Sequence, residues 1–66
     1  MDFIKNARIR IEHWITHNNN HKEEYEAFAE QLEEEGKNGS SEYVRKMIEM
    51  TVRSNEYLRN ALKTLE

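Results

Sequence analysis

The stretch "HNNNH", residues 17–21, decides how this chain folds. If its three asparagines form a loop, the chain has three helices; if they are helical, it has one long first helix and a hairpin. Asparagine is a weak helix former because its side chain competes for backbone hydrogen bonds. The cost is only about 0.5 kcal/mol per position against alanine, which packing can override. Periodicity favours the helix. Ile4, Ala7, Ile11, Trp14, Asn18, His21, Tyr25, Phe28 and Leu32 follow steps of three and four residues, one heptad stripe. The stripe crosses residues 18–20 without a skip, and a loop would have no reason to keep the phase. The expectation is one helix over residues 3–35; a break at 18–20 is the alternative.

Moving outward, both glycines of the chain lie in "GKNGSS", residues 36–41. Gly36 can take the left-handed conformation that ends a helix, and Ser40 or Ser41 can cap the next one, with Glu42 in its first turn. Asp2 is the corresponding cap at the other end. A turn over 36–40 then leads into a helix over 41–65, whose stripe is Val44, Ile48, Thr51, Asn55, Leu58, Leu62 and Leu65. Folded back antiparallel, the stripes pair Leu32 with Val44, Phe28 with Ile48, Tyr25 with Thr51 and His21 with Asn55. Asn18 then meets Leu58, Trp14 meets Leu62 and Ile11 meets Leu65. The expected fold is all-α, an antiparallel two-helix hairpin forming one domain over 1–66.

A chain of 66 residues buries only about 60% of its unfolded surface and needs a staple of some kind. Cysteine is absent, which excludes disulfides and thiolate metal sites. The second helix also carries an extra apolar line, Tyr43, Met47, Met50, Tyr57 and Ala61, too wide for one neighbour. Two hairpins dimerising into a four-helix bundle would cover it, so a homodimer is expected. A net charge of −3 with dispersed basic residues argues against nucleic acid. No apolar run approaches the ~18 residues of a membrane span and no signal peptide opens the sequence, so no membrane partner and a cytoplasmic location are expected. The Glu-rich stretch from Glu23 to Glu35 is the solvated side of the first helix.

His13, His17 and His21 are the only histidines and stand four residues apart, so they form a ridge along one helix. Glu24, three residues past His21, returns to the flank of His17. Imidazoles at this spacing can chelate one ion and a carboxylate one turn on can complete the set, so the candidate metal ligands are His13, His17, His21 and Glu24. Zinc, nickel, cobalt, copper and iron all suit such thiolate-free donors, and spacing alone does not choose among them; the expected cofactor is a divalent transition metal, nickel, cobalt or zinc. The competing reading makes His21 a buried side chain hydrogen-bonded to Asn55, with Asn18 nearby and Trp14 and Tyr25 bracketing them. That polar layer would fix register in a structural dimerisation or protein-interaction module. Ferritin-type di-iron chemistry needs a Glu three residues before a His, but residues 10, 14 and 18 are Arg, Trp and Asn. No zincin motif occurs and no serine is placed as a nucleophile, so no catalytic residue is assigned and no enzyme is expected.

"HWITHNNNH" (13–21), then "EEYEAFAE" (23–30) and "NEYLRNAL" (55–62), resembles a group of small, uncharacterised prokaryotic helical domains. Their pattern is His-Trp-x-x-His-Asn-x-x-His, an acidic aromatic stretch, and Asn-x-x-Leu in the last helix. Such domains are sometimes attached to or near proteins that handle nickel and cobalt. The resemblance implies a role in metal handling or sensing with a metal-handling partner. It bears on His13, Trp14, His17, Asn18 and His21, and more loosely on Asn55. The chain departs from the pattern at Asn19 and Asn20, where charged helix formers are expected. The resulting expectation is a small non-enzymatic metal-binding module.

Overall fold

The computed structural model describes residues 2–65. It is all-helical, with α1 (Phe3–Glu34) and α2 (Asn38–Lys63) packed as a hairpin. Helix α1 runs unbroken through Asn18–Asn20, as its periodicity predicts. The expected domain over 1–66 includes Met1 and Glu66, which lie outside the described residues.

The turn is tighter than the sequence suggests. Gly36 takes φ +76°, and two backbone bonds close the end of α1. The Gly36 N–H donates to the Glu33 carbonyl at 3.0 Å and the Lys37 N–H to the Leu32 carbonyl at 2.7 Å, a Schellman closure. Lys37 is also the N-cap of α2, its carbonyl accepting the Ser41 N–H at 3.0 Å. The second helix therefore starts at Asn38, three residues before the expected 41, and ends at Lys63 rather than 65. Ser40 and Ser41 do not cap it. Ser41 instead turns inward, 1% exposed, and donates to the Glu33 carboxylate, which also pairs with Arg45 Nε at 2.8 Å. Asp2 occupies the N-cap of α1 without a side-chain cap bond; its carbonyl accepts the Asn6 N–H at 2.9 Å.

Along α2 the expected stripe faces α1, with Ser41 added to it: Ser41, Ile48 and Asn55 are buried, and Val44, Thr51, Leu58, Leu62 and Leu65 half-buried. Along α1 the stripe is rotated. Ile11, Asn18, Tyr25 and Leu32 stay on the seam, but Ile15 and Ala29 replace Trp14 and Phe28, which are 47% and 51% exposed. The cause is visible at Asn55. Its carboxamide bonds both Asn18 and Asn19, consecutive residues 100° apart on the wheel. The direction to α2 must lie between them, roughly 50° away from the direction the heptad reading assumes. Register moves too, with Asn55 opposite Asn18 and Asn19 rather than His21.

The hairpin is long and thin, 54 × 15 × 10 Å. Its radius of gyration of 15.5 Å compares with about 11 Å for a compact domain of this length. Ala29 and Ile48 are the buried apolar residues among those described. No helix among them is long and apolar enough to cross a membrane.

Candidate functional site

The rotation of α1 sets the surroundings of the histidine ridge. Trp14, His21 and Phe28 share one line, seven residues apart, and move together to the flank of the seam. The His21 side chain is consequently 40% exposed rather than buried. It does not reach Asn55, and the expected His21–Asn55 layer is not formed. An all-asparagine layer takes its place. Asn18 Nδ2 donates to Asn55 Oδ1 at 2.9 Å, and Asn55 Nδ2 donates to Asn19 Oδ1 at 2.9 Å and to the Ile15 carbonyl at 3.4 Å. Asn19 was not assigned a role by the heptad reading. The run of three asparagines was the available signal, since two adjacent carboxamides can grip a third.

His21 instead joins a relay along its own helix. Its Nδ1 lies 2.8 Å from Glu24 Oε1 and its Nε2 lies 2.9 Å from His17 Nε2. An ionised Glu24 only accepts, so His21 Nδ1 carries the proton it donates. Neutral His21 then presents a lone pair at Nε2, and His17 Nε2–H donates to it. A proton placed on His21 Nε2 reverses the bond between the rings only if His17 moves its own proton to Nδ1; with both rings doubly protonated, donor faces donor and the bond breaks. Tyr25 stacks on His21, with ring centroids 5.8 Å apart and planes within 9°, and fixes the ring from the seam side.

The predicted metal residues are thus only partly brought together. His17 and His21 face each other through Nε2. His13 stacks on His17 at 6.2 Å between centroids and takes no part in the relay. Glu24 engages the far nitrogen of His21, so it sits behind the imidazole rather than beside a shared ion. In this arrangement it holds the His21 ring. Among the described residues no three His, Asp or Glu side chains converge on one ion. Trp14 does not bracket the asparagine layer, because it lies on the exposed flank.

The strongest electrostatic feature lies elsewhere. Arg45 hydrogen-bonds the Glu33 carboxylate through Nε and Nη2, and Ser41 adds a third bond, so the Glu33 pKa falls from the ordinary carboxylate range to about 2. The same pairing raises the Arg45 pKa. This group ties the end of α1 to the first turns of α2 and is structural.

A family model described as "Domain of unknown function (DUF8180)" matches residues 7–65. This agrees with the expected likeness to a small uncharacterised domain. Neither the curated proteins nor the solved structures contain a match.

Proposed function

Because the chain belongs to that domain family of unknown function, its role must be argued from its own geometry, and we propose a small non-enzymatic metal-binding module that acts as a homodimeric four-helix bundle. The observation that carries the proposal is the pair of Nε2 atoms of His17 and His21, 2.9 Å apart, with Glu24 on the outer nitrogen of His21. Two nitrogens bound at ~2.1 Å to one ion stand about 3.4 Å apart in tetrahedral geometry and about 3.0 Å apart at right angles. A divalent ion can therefore replace the proton shared by the rings once each imidazole turns its Nε2 lone pair off the line between them. A carboxylate on the other nitrogen of a ligating imidazole fixes its tautomer and strengthens it as a donor. Nickel, cobalt and zinc match imidazole donors. The resemblance carried by residues 13–21 implies the same class of ion, and with it storage, delivery or sensing.

Dimerisation is supported by area. The hairpin exposes 5382 Å², whereas a folded monomer of its mass exposes about 4,500 Å². The excess is close to the ~800 Å² that each partner contributes to a standard interface.

The test of the metal reading is a titration of tag-free, chelator-treated protein with nickel, cobalt and zinc, repeated on His17→Ala and His21→Ala. Binding should be lost in both variants. Equal weak binding by all three proteins would leave the alternative, a structural dimerisation module. That reading is favoured by the asparagine layer, since buried carboxamides on a helical seam specify register.

A further inference from the structure

Two imidazoles do not complete a metal site, and the position of this pair says where the remaining ligands come from. Glu33 and Arg45 are bonded and mark one flank of the hairpin. By the helical wheel, Trp14, His21 and Phe28 lie on the opposite flank of α1, and Met47, Met50 and Tyr57 on the opposite flank of α2. Both leftover apolar lines therefore share one face. On α2 the stripe Ser40, Tyr43, Met47, Met50, Ser54, Tyr57, Ala61, Thr64 contains no charge, in a chain in which 35% of residues are charged. Tyr43 and Tyr57 stand 74% and 73% exposed on it. Depletion of charge together with exposed Tyr, Met, Trp and Phe is the composition of an interface centre.

His17 and His21 lie on this face and straddle the midpoint of α1 (Phe3–Glu34). A two-fold axis that crosses the helices there gives a second copy the greatest overlap, with α1 antiparallel on its equivalent. That axis sets His17 of one copy opposite His21 of the other. Facing helices in a bundle lie 8–10 Å apart, so side chains at one level meet. We propose that a second copy of this chain covers the face and that the two His17–His21 pairs together form a four-imidazole site for one divalent transition metal on the two-fold axis. The two Glu24 carboxylates, one per chain, then balance the charge of the ion. This inference rests on the metal-binding reading above, but adds a prediction of its own: the site does not exist in a monomer.

The experiment combines stoichiometry with oligomeric state. Apo protein is titrated with zinc and with cobalt, with cobalt absorption reporting geometry and sedimentation equilibrium reporting mass. The expected result is one ion per two chains, a tetrahedral cobalt spectrum, and dimers strengthened by metal. Met50→Glu places a charge on the uncharged stripe, away from the imidazoles, and should give a helical monomer whose metal affinity falls ~100-fold, as expected when half of a chelate is lost. Tyr57→Lys is the second variant should Met50→Glu lose its helical circular dichroism, and stoichiometry in the wild type needs neither. One ion per chain, with affinity unchanged in a monomeric variant, would overturn the shared site and leave the metal reading intact. Binding no tighter than that of a His17→Gln/His21→Gln double variant would overturn both.

Discussion

Replacing Asn55 with alanine should cost this hairpin a large part of its stability. Asn55 is 3% exposed and makes three bonds to α1: it accepts from Asn18 and donates to Asn19 and to the Ile15 carbonyl. Each such bond contributes about 1 kcal/mol net. Asn18 is half-buried and Asn19 exposed, so both regain water when their partner goes, which trims the loss. The lost packing of a buried side chain adds to it, and the expected cost is about 2–3 kcal/mol. A chain of this length has roughly 3–10 kcal/mol in total. In urea, with a slope of about 1 kcal/mol per molar for a small protein, the midpoint should fall by roughly 2 M. The assay is unfolding followed by circular dichroism at one fixed chain concentration, so that mass action acts equally on the proteins compared. Asn20 is the control. It is exposed and makes no side-chain bond across the seam, so Asn20→Ala should raise stability by about 0.5 kcal/mol through helix propensity alone. An Asn55→Ala loss below about 0.5 kcal/mol would show that the layer does not hold the helices together, and the account of the rotation of α1 would fall with it.

Further outcomes are expected. The two glycines should respond in opposite directions, although neither has an atom within 4 Å of an added Cβ. Gly36→Ala forces an L side chain into φ +76° and should destabilise by about 1 kcal/mol. Gly39→Ala, inside the first turn of α2, should stabilise by up to about 1 kcal/mol in the same denaturation assay. The pKa of Glu33 is held at about 2 by Arg45 and Ser41, below its value in the unfolded chain. The stabilisation it supplies is therefore full above about pH 4.5 and is lost as pH falls towards 2. Thermal midpoints between pH 2 and 6 should fall more steeply for the wild type than for Glu33→Gln, and parallel curves would refute the assignment. Glu24→Gln should weaken metal binding ~10–100-fold by removing the carboxylate behind His21. His13→Ala, outside the relay, should leave the calorimetric affinity unchanged.

What the sequence determined by itself is everything set by local chemistry. The unbroken phase from Ile4 to Leu32 predicts one helix through the asparagines. Gly36 marks its end, and Val44 to Leu65 name the buried side of α2. The meeting of His17, His21 and Glu24 is also local, because residues three and four apart always meet on a helix. The rotation of α1 is not local. Two heptad stripes pass through Ile11, Asn18, Tyr25 and Leu32; one adds Trp14, His21 and Phe28, and the other Ile15, Lys22 and Ala29. Periodicity scores both as amphipathic, and the larger side chains make the first look stronger. The choice is made by bonds between Asn55 and residues 36 and 37 positions away in sequence, a partnership that no local pattern displays. The early start of α2 follows the same logic. Ser41 has the chemistry of a cap, but the Schellman turn already supplies Lys37 at that position, leaving the hydroxyl free to turn inward to Glu33. Only the tertiary structure could therefore decide that His21 stands beside an exposed apolar face rather than inside the seam, because the free energy separating the two rotations resides in contacts between the helices.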